Sequence, residues 1–158
     1  MPIVNPTEEQ LATFAASAPD DAPIVMLNLL RFRDQADYGD GSTGVTGKKA
    51  YARYSKGVLP LLFEVGGLPL WMGRGRYPFI APEGESWDEV LLVHYPSRAA
   101  FVRMVNSPAY REVMKHRTAA LADSRLIETT AAFLPKSLLK LGRAAIRAKA
   151  LIGFRGVR

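Results

Sequence analysis

Pro23-Ile24-Val25-Met26-Leu27-Asn28-Leu29-Leu30-Arg31-Phe32-Arg33 is a short apolar run entered through a proline and left through charge. Such a run, with no cap before it and no helical stripe within it, predicts a buried strand. Period-two alternation puts Ile24, Met26, Asn28, Leu30 and Phe32 on one face, and Val25, Leu27, Leu29 and Arg31 on the other. Asn28 breaks the pattern. A mid-strand amide in apolar surroundings needs a partner, from the protein or from a ligand.

Working outward, Asn5-Pro6-Thr7-Glu8-Glu9-Gln10 reads as a helix start, with a capping residue, a proline in the opening turn and acids at the positive helix end. That helix carries Leu11, Phe14 and Ala15 on one side and ends before Pro19. After the strand, residues 34–47 form a loop whose Gly39, Gly41 and Gly44 lack the Gly-Lys-Ser/Thr of a phosphate-binding loop. Residues 48–65 predict a helix with Tyr51, Tyr54, Val58 and Val65 on one face, kinked or restarted at Pro60 and stopped by Gly66-Gly67. A second, glycine-interrupted strand spans 68–80 and a third spans 87–95. Ser97 caps a short helix over 98–105, and Ser107-Pro108 opens another running to about Ala122 with Tyr110, Met114, Arg117 and Leu121 on one stripe. A last strand covers 125–130.

Strand, helix, strand, strand, helix, strand is the ferredoxin-like βαββαβ order, an α+β fold with an antiparallel sheet. Helices cover one face of such a sheet. On this reading the bare face holds Met26, Leu30, Phe32 and Trp71, too apolar for water. Packing two sheets face to face resolves this, giving a homodimeric α/β barrel with an enclosed cavity.

The length suits one domain, residues 1–132, followed by a tail, 133–158. The net charge of +6 resides in that tail, where seven basic residues follow Glu128 with no acid among them. The remainder holds 14 basic against 15 acidic groups, so no nucleic-acid partner is expected. Zero cysteines exclude disulfides and thiolate chemistry. With no leader or membrane span evident, a cytoplasmic location is expected. Residues 136–154 interleave leucine, isoleucine and alanine with basic groups alone, which reads as a basic amphipathic C-terminal helix. It suits an anionic membrane surface or a protein partner, or else packing across a second subunit.

Met26-Leu27-Asn28-Leu29-Leu30-Arg31-Phe32, Ala50-Tyr51-Ala52-Arg53-Tyr54, Trp71-Met72-Gly73, Trp87-Asp88-Glu89-Val90, Tyr95 to Phe101, Ser107-Pro108-Ala109-Tyr110 and Arg117 occur in an order similar to DUF 1330. That is an uncharacterised family of the dimeric α/β-barrel superfamily. The resemblance covers roughly residues 5–130 and implies the homodimeric barrel without implying an activity. Branches of the superfamily include cofactor-free monooxygenases, isomerases, haem-degrading enzymes and assembly proteins, and fold does not choose among them.

Asn28 is the leading site candidate, as a hydrogen-bonding group for a ligand carbonyl or as an internally satisfied amide. Tyr51 and Tyr54 share one helix face, and Tyr110 and Arg117 another; phenols and a guanidinium together suit a carboxylate or enolate. The alternative is core packing with Arg117 in an ion pair with Asp88 or Glu89. His94 is a candidate general base beside Asn28 and Trp71, or a plain sheet histidine. Two separated histidines without clustered acids predict no metal site, and no cofactor is expected. Two functions follow. One is metal-free binding or transformation of a small organic carboxylate or enolisable molecule, with Arg117 and His94 catalytic and Asn28, Tyr51, Tyr54, Trp71 and Tyr110 binding. The other is a non-catalytic dimeric module whose basic tail does the binding.

Overall fold

The computed structural model describes residues 3–17, 22–41 and 43–130, with Ser137, Lys140, Gly142 and Ala144 in helical conformation beyond them. In chain order the elements are α1 (Glu8–Ala16), β1 (Ile24–Phe32), α2 (Gly47–Glu64), β2 (Leu68–Arg74), β3 (Glu89–Tyr95), α3 (Arg98–Asn106), α4 (Pro108–Ala120) and β4 (Leu121–Thr130). The sheet order is β2-β3-β1-β4 with every neighbouring pair antiparallel, which is the ferredoxin-like arrangement.

Local chemistry explains the boundaries. Thr7 caps α1 in a capping box with Gln10, Thr46 caps α2, Ser97 caps α3 and Ser107 caps α4. Helix α2 continues as one element through Pro60, which stands on the exposed side where water can take the carbonyl left without a donor. Strand β2 stops at Arg74, short of the expected residue 80. At Gly75 the chain instead closes on β3, with its N–H donating to the Asp88 carbonyl at 3.1 Å. Helix α4 stops at Ala120 and β4 starts at once, four residues earlier than expected. The last helical carbonyls find donors outside the helix: Asp37 N–H to Ala119, Arg33 N–H to Ala120 and Arg33 Nε to Leu121. Asp123 and Ser124, which hide the strand from a hydropathy reading, are buried with partners of their own.

The face assignment is corrected. Ile24, Met26 and Leu30 lie beneath the helices, not on the bare face. One core cluster joins Leu30 to Ala50, Tyr51, Tyr54, Ala119, Ala120 and Leu121, with Phe32 packed against it. The other joins Ile24 and Met26 to Leu62, Tyr95, Phe101 and Met104. The opposite face carries cross-strand rows Leu68–His94–Val25–Thr129, Trp71–Leu92–Leu27–Ile127 and Gly73–Val90–Leu29–Arg125. Apolar residues occupy both sides of β1, so alternation alone does not say which side the helices take. Of the four residues assigned to the bare face, Trp71 alone belongs there.

Gly142 touches the side chain of Leu68, so part of the tail lies against the first of these rows. Apart from Ser137, Lys140, Gly142 and Ala144, the residues of the expected basic helix lie outside the described ones. Among the described residues no helix is long and apolar enough to cross a membrane.

The loop after β1 is anchored at both ends. Gly47 donates to the Arg33 carbonyl at 3.1 Å, and a β-carbon at position 47 would overlap the carbonyl oxygens of Arg33 and Ala120. Gly47→Ala is therefore expected to cost about 1–3 kcal/mol. At roughly 2–4 °C per kcal/mol for a chain of this size, the melting temperature should fall by several degrees in a calorimetric scan.

Candidate functional site

Helix spacing brings the tyrosines together. Tyr51 and Tyr54 of α2 have ring centroids 5.3 Å apart, and Tyr54 meets Tyr110 of α4 edge-on with the two phenol oxygens 3.4 Å apart. Burial pushes the Tyr51, Tyr54 and Tyr95 phenols up; at Tyr51 the Arg117 guanidinium opposes that rise, and at Tyr54 the neighbouring Tyr110 adds to it. All three are neutral hydrogen-bonding groups at physiological pH, not phenolate bases. Tyr110 packs against both core clusters.

Asn28 lies on this helix-covered face, half-buried, and its Nδ2 donates to the Met26 carbonyl at 3.2 Å. Its cross-strand neighbours are Leu91 and Leu126. Leu126 remains 43% exposed although Leu30 and Met26 beside Asn28 are buried. Two bridges from the helices flank it two residues away on either side. Arg98 of α3 forms a bidentate pair with Glu128 at 2.6 and 2.7 Å, and Arg117 of α4 donates to Ser124 Oγ at 3.1 Å. The helix layer thus parts over the Asn28–Leu126 pair.

Arg117 is engaged within the chain. Its buried guanidinium donates to the Val4 carbonyl at 2.6 Å, Asn5 Oδ1 at 3.2 Å and Ser124 Oγ, fastening the N-terminal segment to β4. These partners differ from the expected Asp88 or Glu89. Asp88 instead accepts the Phe32 N–H at 2.7 Å and donates its own N–H to the Leu30 carbonyl. His94 is buried on the opposite face of the sheet from Asn28, in the row of Val25 and Leu68. Asn28, His94 and Trp71 therefore do not share one cavity, and His94 cannot serve as a base beside Asn28. Trp71 is 54% exposed on that same opposite face. Two clefts lie elsewhere, one of about 410 Å³ along α1 and one of about 290 Å³ between the end of α2 and α3.

The family model described as a domain of unknown function, DUF1330, matches residues 41–130. A solved protein of unknown function from Rhodopseudomonas palustris, RPA0582, is 42% identical, with 85% of this chain covering 100% of that one at a TM-score of 0.78. Its methylated form is 43% identical over 85% and 97% of the two chains, at a TM-score of 0.79. The chain belongs to the DUF1330 family. Hydroxynitrile lyase from Passiflora edulis is similar in fold, at 13% identity over 73% of this chain and 100% of that one, with a TM-score of 0.50. No curated protein matches.

This DUF1330 chain also holds two polar arrangements absent from the sequence reading. Glu89, half-buried beside the tyrosine cluster, is pushed up by burial while Lys48 and Arg74 pull it back. Tyr38 of the β1–α2 loop meets His116 Nδ1 at 2.8 Å, with Arg53 within 3.5 Å of the phenol oxygen. Charge order around Glu89 was visible in Trp87-Asp88-Glu89-Val90, but no sequence signal linked positions 38 and 116.

Two outcomes are expected. Arg117→Met should lower stability by about 1.5–3 kcal/mol, the value of hydrogen bonds to a charged group. It should show as a lower urea midpoint together with faster amide exchange at Ser124, whose N–H otherwise bonds the Ile3 carbonyl at 2.8 Å. His116 is held below its ordinary value by burial, Lys115 and Arg53. Its contribution is complete above the unfolded value of about 6.5 and is lost as pH falls through the lower folded value, because the unfolded chain then binds more protons. Urea midpoints measured at mildly acid and at neutral pH should differ more in the native protein than in His116→Phe.

Proposed function

We propose that this protein is a homodimer in which each subunit binds a small organic molecule, a carboxylate or an enolisable carbonyl compound, at the Asn28–Leu126 opening of its helix layer. The observation that carries the reading is the opening itself, an accessible apolar patch beside a half-buried amide between two arginine bridges. The Met26 bond uses one of the two amide hydrogens, leaving the other and Oδ1 for a ligand. The half-buried Tyr110, packed against the clusters that contain Met26 and Leu30 and 3.4 Å from the buried Tyr54 hydroxyl, offers one further donor to an oxyanion. Neither His94 nor Arg117 takes part.

The dimer is supported by the opposite face of the sheet. Trp71 and Ile127, 54% and 47% exposed, end a row completed by the half-buried Leu92 and Leu27. Such a face calls for a cover, and face-to-face sheet packing provides one.

Benzoate and acetoacetate, titrated separately into isotopically labelled protein, test the site. Shifts should appear at the Asn28 side-chain amide and the Leu126 methyl groups, and Asn28→Leu should abolish them without lowering the melting temperature. Absence of shifts with both probes, or shifts confined to the α1 cleft, would overturn the assignment.

A further inference from the structure

Between β2 and β3 the chain leaves the sheet for residues 75–88 and returns. Tyr77, Phe79 and Ile80 within this loop are 81%, 86% and 91% exposed. Three large apolar side chains in four residues are costly to leave in water when the surrounding chain holds them out. Here it does. The base is clamped where Gly75 donates to Asp88 and where a β-carbon on Gly75 would run into the Trp87 carbonyl. A turn from Pro82 to Glu85 closes with a 3.1 Å hydrogen bond, Gly84 supplying the positive φ it needs. The Trp87 indole donates to Glu85 at 3.0 Å and receives the Arg125 guanidinium over its ring at 5.2 Å. Pro78 and Pro82 stiffen the intervening chain.

Charge narrows the choice of what covers the loop. Residues 74–89 hold Arg74 and Arg76 against Glu83, Glu85, Asp88 and Glu89, a net of −2 that repels an anionic bilayer or a nucleic acid. Area narrows it further. The open sheet face is occupied at the Leu68 row by Gly142 and ends in the charged Arg31–Asp123 pair. Among the described residues two rows remain open, about 250 Å² of flat sheet at ordinary strand spacings, against roughly 800 Å² per partner in a standard interface. The loop adjoins this remnant, since the Trp71 ring lies over Gly73 on the strand that runs into it.

We propose that residues 75–82 form an arm that clasps a second copy of this chain, supplying the interface area that the sheet face lacks. The inference rests on the homodimer reading above, and adds that the arm, not only the sheet, holds the pair together. Trp71 and the arm then form one continuous contact, with Tyr77, Phe79 and Ile80 as anchors.

Sedimentation of the full chain across a dilution series tests this, with a triple variant, Tyr77→Ser, Phe79→Ser and Ile80→Ser, and with Trp71→Arg. Native protein should sediment as a dimer, with the triple variant dissociating at roughly 100-fold or more higher concentration, the loss expected of several interface anchors. Its circular dichroism and monomer melting should be unchanged, because all three positions are exposed in the single chain. A native monomer at every concentration would overturn both the dimer and the arm. A native dimer weakened by Trp71→Arg but not by the triple variant would overturn the arm alone. Binding of native protein, but not of the triple variant, to phosphatidylserine vesicles would also overturn it, by assigning the arm to lipid.

Discussion

Strand β1 is hydrogen-bonded on both sides and apolar on both faces, and this constraint shapes everything around it. A strand so placed requires a sheet with two covered surfaces. Among the described residues there is one complete cover, the layer of α2, α3 and α4 over Ile24, Met26 and Leu30. On the other side the chain places Gly142 against Leu68 and, among the described residues, leaves the Trp71 and Gly73 rows open. The chain is thus finished on one face and unfinished on the other.

Burying polar groups in the finished half has structural consequences. The guanidinium of Arg117 and the carboxylate of Asp123 both reach the N-terminal residues, through Val4, Asn5 and the Ile3 N–H. At Asp123 burial alone would raise the carboxyl, but the Ile3 and Ser124 N–H groups and Arg125 outweigh it and hold it low. These ionised groups are kept in place by partners drawn from distant parts of the chain. That makes residues 3–5 part of the folded body.

Much of the architecture was legible. Caps at Ser97 and Ser107, the Gly66-Gly67 stop and the strand at 24–32 follow from local chemistry that the folded chain respects. The topology follows from their order. Less legible were features set by long-range contacts: the start of β4 at Leu121, fixed by Arg33 and Asp37, and the side of β1 the helices take. The same limit applies to the candidate site. Helical spacing correctly paired Tyr51 with Tyr54, and the odd amide at Asn28 is half-buried with a partner at the Met26 carbonyl. The side of β1 that the helices cover was misassigned, so Asn28 was placed on one wall with His94 when the two lie on opposite faces of the sheet. Arg117 looked like an oxyanion ligand because its partners, two backbone and side-chain oxygens near the N-terminus and one serine, carry no sequence signature.

The margins of the sheet show why an unfinished face need not lead to disorderly growth. β2 borders one side with Pro69, a bulge between Pro69 and Trp71, and Arg74 at its end. On the other side, Ile3 takes the outward N–H of Ser124. Irregular or partly occupied edges shorten the ladder open to an incoming strand, which disfavours fibre-like addition of chain upon chain. What stays available is a face, and two faces that pair use each other up. A pair formed in the proposed way would have no face left for a third copy.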